Sequence, residues 1–212
     1  MQKKSVIKLG LAQYPISQHA NFESWKAYVE KWIQDAVLSN CDLLLFPEYG
    51  SIELTSFAPP EIQKDLRSQI NFLSDLNTRY IEAFKNLSRQ YNVFIVASSI
   101  PFFVVEKNKT VNRCYIFSRS GEYDYQDKLF MTRFEDEEWG ISSSEAIVGE
   151  FVQKVFETEI GNLAISICFD IEFSEPSFSA ALAGADLVIA PSCTETLKGC
   201  NRVHIGARAR AL

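Results

Sequence analysis

The chain has 212 residues, long enough for one sizeable core and borderline for two domains. A 47% hydrophobic and 23% charged composition is that of an ordinary globular protein. The formal net charge of −6 comes with no long basic run, which argues against nucleic acid and anionic membrane as partners.

Met1-Gln2-Lys3-Lys4-Ser5-Val6-Ile7 begins like a signal peptide, but Lys8 interrupts the apolar stretch and Tyr14-Pro15 ends it. Val6 to Ala12 is therefore expected to be a first core strand. Phe22, Trp25, Tyr28, Val29, Trp32, Ile33, Ala36 and Val37 recur at helical spacing, with Asn21 placed to cap the helix. Cys41 to Phe46 reads as a short strand stopped by Pro47. Leu66, Ile70, Leu73, Leu76, Tyr80, Ile81, Phe84 and Leu87 give one apolar face to a mainly helical stretch from Pro60 to Tyr91.

Val93 to Ser99 and Val111 to Ser118 are β-branched strands, and Ser120-Gly121-Glu122 suits a hairpin turn into Tyr123-Asp124-Tyr125. Phe151 to Phe156 and Asn162 to Cys168 form a second hairpin candidate. Ser177 to Ala183 reads as a short helix closed by Gly184, Asp186 to Pro191 as a buried strand, and Val203 to Leu212 as a helix. Strands alternating with helices imply a layered α/β fold, with antiparallel pairs at the hairpins. No linker or repeat divides the chain, so a single domain over 1–212 is expected. The last helix stops mid-pattern at Ala211-Leu212, without a cap or breaker.

No apolar run reaches the ~20 residues that span a bilayer. Five cysteines, an odd number without a CxxC, argue against a disulfide framework, and a cytoplasmic location is expected. Two distant histidines, His19 and His204, match no zinc pattern, and no metal or cofactor is expected.

Three residues sit where strands end. Glu48 follows an apolar run, Lys128 lies beyond an aromatic strand, and Cys168 precedes a sharp polar switch, Phe169-Asp170-Ile171-Glu172. In open α/β sheets such ends face the ligand crevice. Taken singly, each also fits a solvated loop carboxylate, a surface lysine or an inert core thiol. A lysine near a thiol favours thiolate and can stabilise an oxyanion.

Phe46-Pro47-Glu48, Asp127-Lys128-Leu129-Phe130 and Ile167-Cys168-Phe169-Asp170-Ile171-Glu172-Phe173-Ser174-Glu175 together resemble the three signature blocks of the nitrilase superfamily, the carbon–nitrogen hydrolases. The resemblance implies an αββα sandwich, often paired through helices into homodimers or higher homo-oligomers. It also implies a Glu-Lys-Cys triad, with Glu48 as general base, Lys128 as electrostatic stabiliser and Cys168 as nucleophile. A second glutamate follows the lysine in many members; Glu135 is the best match, with Glu137 and Glu138 as alternatives.

The backbone N–H of Phe169 is expected near the oxyanion. Pro191 to Thr196 resembles a pocket loop, which puts Cys193 and Thr194 among substrate-binding candidates. Arg202 and His204 are open between binding a substrate carboxylate and starting a solvated helix. The family implies hydrolysis of a small amide through an acyl-thioester. Nitrile cleavage, acyl transfer and a non-catalytic assembly module are alternatives, and a Cys–His pair is a weaker one. Phe130, Phe169, Glu172 and Ser174 depart from the residues common in the family, histidine, tyrosine, arginine and proline. The family's domain normally continues past this last helix, so C-terminal strands and a tail are expected to be missing.

Overall fold

The computed structural model describes residues 6–212, except the side chain of residue 147; the first part of the signal-like segment lies outside them. Six strands form the larger sheet. β1 (Leu9–Leu11), β2 (Leu43–Leu45) and β3 (Phe94–Val96) run parallel, while β4 (Ile100–Val104) and β6 (Tyr123–Asp127) pair antiparallel with β5 (Lys109–Phe117). Parallel neighbours need long crossovers. α1 (Phe22–Leu38) makes the first; α2 (Pro60–Gln63), α3 (Leu66–Asp75) and α4 (Asn77–Tyr91) lie in the second. A smaller sheet contains β7 (Val155–Thr158), β8 (Gly161–Ile165) and β9 (Leu187–Ile189), with β8 and β9 parallel.

Strand alternation sorts the core into two layers. Leu44, Phe46, Ile95, Ala97, Tyr115 and Phe117 face α1 and α4, where they meet Trp25, Val29, Ile33, Tyr80, Phe84 and Leu87. The intervening Leu43, Phe94, Val96, Cys114 and Ile116 face the second sheet and its Phe156, Leu163, Ile165, Ile167 and Ile189. Burial on both faces explains why β2 and β3 read as continuous apolar runs. α7 (Ser174–Leu182), the crossover between β8 and β9, and α8 (Leu197–Ala211), which follows β9, complete an αββα sandwich.

The mainly helical Pro60 to Tyr91 stretch divides into three helices. Asp65 caps α3 by accepting from the Ser68 N–H at 2.8 Å, which forces a break before it. β4 was not expected from the sequence. Among the described residues it pairs with β5 alone, so Pro101 takes no N–H from a ladder. The acidic stretch after Thr132 is a short helix, α5 (Arg133–Glu137), and α6 (Glu145–Val148) follows it. The strand expected over Phe151 to Phe156 begins only at Val155. α8 starts six residues earlier than expected, because the Thr196 side chain caps it on the Gly199 N–H.

The ladder along β5 is irregular where β3 gives way to β4. Ile95 pairs with Phe117 and Ile100 with Arg113, so residues 96–99 face only 114–116. The extra residue is a β-bulge carrying Ser98 and Ser99. Replacing Ile165, fully buried between the sheets, by alanine is expected to cost about 2–5 kcal/mol. A denaturant titration with an unchanged midpoint would contradict this packing.

Candidate active site

The bulge anchors the loop that carries Glu48. Ser99 Oγ accepts the Tyr49 N–H at 3.0 Å, and Ser51 Oγ donates to the Ser99 carbonyl at 2.7 Å. Tyr49 takes a left-handed φ of 54°, which turns the chain sharply after the carboxylate. Gly50 then passes so close to Ser98 that a Cβ would sit 2.3 Å from its Oγ.

Lys128 continues β6 by donating its N–H to the Asn112 carbonyl at 2.9 Å. Its side chain is 1% exposed, and Nζ lies 2.8 Å from Glu48 Oε1 and 2.7 Å from Glu135 Oε2. Glu135 arrives through local chemistry. Thr132-Arg133-Phe134-Glu135 is a capping box, in which Thr132 Oγ1 accepts the Glu135 N–H while Glu135 Oε2 accepts the Thr132 N–H. That turn folds the carboxylate back toward the lysine. Tyr49 Oη donates to Glu135 at 2.7 Å, and Asn112 Nδ2 reaches Glu48 at 3.1 Å and Glu135 at 3.4 Å. Glu137 pairs with Arg133 at the surface and Glu138 is exposed, so of the three alternatives only Glu135 meets Lys128.

Cys168 lies beyond the end of β8. That strand stops at Ile165, although Ser166 and Cys168 still donate to the Ile189 and Pro191 carbonyls at 2.9 Å. Cys168 has a φ of 48°, an uncommon conformation for a residue with a Cβ, and opens a 3-10 turn through Glu172. Its Sγ donates to the Cys193 carbonyl at 3.5 Å, and the Cys193 N–H donates to Glu48 Oε2 at 3.1 Å. The loop after β9 thus touches both thiol and carboxylate.

The electrostatics follow from burial and charge. Burial raises the Glu48 carboxyl, Lys128 opposes this, and Glu135 adds to it. Burial also works against ionised Glu135, but the Lys128 charge and hydrogen bonds from Lys128, Thr132 and Tyr49 bring its carboxyl below the ordinary value. Burial acts against a charged Lys128, yet its two carboxylates raise it further above its ordinary value. Burial and the Glu48 charge push the Cys168 thiol up to about 12.

These groups line one cavity of about 470 Å³, within the usual range for small-molecule sites. Glu48, Lys128, Glu135, Cys168, Phe169, Cys193 and Thr194 all border it. Arg202 borders it too, whereas His204 is exposed on α8 and His19 sits 3.3 Å from Glu53; neither histidine is a lining residue. Among the described residues, no three His, Cys, Asp or Glu side chains converge to hold a metal.

Sequence reasoning missed Asn112, Tyr49 and Asp170. Fully buried Asp170 accepts from the Leu129, Phe130 and Ile167 N–H groups at 3.2, 2.8 and 3.1 Å. It therefore clasps the Lys128 segment to the turn that presents Cys168. Its only sequence signal was its place two residues after the thiol. Burial pushes its carboxyl up to about 7, against the pull of those donors and of Lys128.

Residues 8–212 match the family profile described as carbon–nitrogen hydrolase. The chain is 33% identical over 206 residues to the "Probable hydrolase YhcX" of Bacillus subtilis, covering 97% of this chain and 38% of that protein. It is 23% identical to the "Omega-amidase NIT3" of Saccharomyces cerevisiae, over all of this chain and 70% of the relative. Thus the chain spans well under half of the first relative's length. Among solved structures, a carbon–nitrogen hydrolase from Helicobacter pylori G27 superposes with a TM-score of 0.74 at 17% identity, over 97% of this chain and 69% of that one. An amidase from Nesterenkonia sp. AN1, solved as a double mutant with acrylamide, gives 0.72 at 18%, over 100% and 74%. These two likenesses concern the fold.

Asp170→Asn turns one acceptor oxygen into a donor facing backbone donors, and is expected to cost about 1–3 kcal/mol. The raised native value means that the folded chain holds this proton more tightly than the unfolded one. The group's contribution is full below about 3.8 and is lost as pH rises toward about 7. The variant should lose that part of the pH dependence. Denaturant titrations across this range check both points, and a variant of parental stability and slope would contradict the clasp.

Proposed function

This chain belongs to the carbon–nitrogen hydrolase family, and we propose that it cleaves the C–N bond of a small linear amide through a thioester on Cys168. The observation that carries the reading is the buried Lys128 held between Glu48 and Glu135, in the wall of a cavity that Cys168 also lines.

The chemistry follows from the charges. With its thiol pushed up to about 12, Cys168 rests neutral, so the proton must leave as the sulfur attacks. Glu48 is the acceptor, oriented by the Cys193 N–H, Asn112 and Lys128. Sγ bonds to the amide carbon while the carbonyl electrons move to oxygen. Lys128 faces that oxyanion, and the Phe169 N–H is the second proposed donor; one such donor contributes roughly 3–4 kcal/mol.

Glu48 then passes its proton to the leaving nitrogen. The C–N bond breaks, ammonia or an amine departs, and the acyl group remains on sulfur. Next, Glu48 takes a proton from water, whose oxygen attacks the thioester. The C–S bond breaks, the carboxylic acid leaves and the thiol recovers its proton. Glu135 keeps Lys128 charged and in place throughout.

A second copy of the chain is the partner proposed for α7 and α8, whose Phe178, Leu182, Leu197 and Ile205 are exposed. The family resemblance supports this choice of occupant. Light scattering that returned the mass of a single chain at micromolar concentration would remove it.

Glu48→Gln is expected to lower amide turnover by about a hundredfold or more. It should also speed alkylation of Cys168 by iodoacetamide at mildly alkaline pH, because the carboxylate that raises the thiol is gone. Mass spectrometry of the wild-type protein quenched during turnover should show the acyl mass on Cys168. Undiminished ammonia release by Cys168→Ala would sink the nucleophile assignment.

A further inference from the structure

The mouth of the cavity carries charges that the reaction does not use. Glu172 ends the 3-10 turn that begins at Cys168, and its side chain is 19% exposed. Arg202 of α8 lies across it, with Nε 3.1 and 3.3 Å from its two oxygens, but the arginine side chain is 53% exposed. The pair is lopsided: the carboxylate is set into the wall and the guanidinium stands in water. Glu195, also on the cavity lining, adds a further negative charge.

Packing fixes where this carboxylate stands. One helical turn beyond Arg202, Gly206 passes so close to the 3-10 turn that a Cβ would lie 2.8 Å from the Ile171 carbonyl oxygen and 3.3 Å from the Glu172 Cα. The turn bearing Glu172 is thus held against α8, and Glu172 lines the same cavity as the Cys168 thiol. Counting the whole lining, four carboxylates (Glu48, Glu135, Glu172 and Glu195) stand against two cations, Lys128 and Arg202. Lys128 is already occupied by two of those carboxylates.

We infer that the site selects amides whose distal end carries a positive charge, an amine or a guanidinium, and that Glu172 is the residue that recognises it. This rests on the hydrolase reading above. A bound cation takes the wall carboxylate, and Arg202, whose side chain already stands half in water, swings into solvent. A substrate carboxylate at the same place would face Glu172 and Glu195, with one half-solvated guanidinium in its favour. Tyr49, Phe134, Trp139 and Phe169 supply apolar walls for the chain between the two ends.

The test uses three amides of similar length: δ-aminovaleramide (cationic), glutaramate (anionic) and hexanamide (neutral). The purified protein is expected to show kcat/KM at least about tenfold higher for the cationic than for the neutral amide, the scale of one partly buried charge pair, with the anionic amide lowest. Glu172→Gln should lower the cationic-to-neutral ratio about tenfold, Arg202→Gln should raise it, and added salt should reduce it. Equal rates for all three, or preference for glutaramate, would overturn the selectivity while leaving the hydrolase reading intact. Failure of all three amides, with Cys168 never acylated, would overturn both.

Discussion

A buried ammonium between two carboxylates is the constraint around which the rest of this chain is arranged. Lys128 is almost fully removed from water, and a charge in such a place is tolerated only when paired and hydrogen-bonded. Glu48 and Glu135 supply the charges; Asn112, Tyr49 and Thr132 donate further hydrogen bonds to these carboxylates, and the Cys193 N–H takes Glu48 Oε2. Removing one member leaves the others buried and uncompensated, so the cluster stands or falls as a unit.

Meeting that constraint dictates features that otherwise look like irregularities. The bulge at Ser98 and Ser99 exists where the Glu48 loop needs two anchoring groups. The left-handed turn at Tyr49 swings its ring toward Glu135 and its backbone toward the bulge. Asp170 then ties the lysine segment to the second sheet, and Glu48 accepts from the Cys193 N–H of the loop after β9, so the two halves of the site come from two sheets bridged by these carboxylates. The apolar layer between the sheets sets the spacing; the polar clasp sets the register.

Much of this was legible because strand ends are marked in sequence. Glu48 and Cys168 each follow an apolar run, Lys128 lies beyond an aromatic strand, and their order carries the family resemblance. Glu135 was legible as one of three glutamates, and the Thr132 capping box is the local signal that separates it from Glu137 and Glu138. Asn112 was invisible inside a strand, since nothing local says that its amide meets carboxylates 64 and 23 residues away. Asp170 was visible as a letter in the third block, but its partners at Leu129 and Phe130 come from a distant segment. The start of α8 was missed because glycines at 199 and 206 dilute its helical pattern; at 206 the close approach to Ile171 explains the choice.

The left-handed backbone at Cys168 has an evolutionary consequence. A residue with a Cβ at that φ is strained by roughly 1–3 kcal/mol, whereas glycine adopts it without steric strain. Mutation under selection for folding alone would therefore drift toward glycine at this one position and erase the thiol. The two pressures oppose each other at a single codon. In a lineage that loses the need for the thiol, a change to glycine would relieve this strain, so inactive descendants of this fold would be expected to carry glycine here.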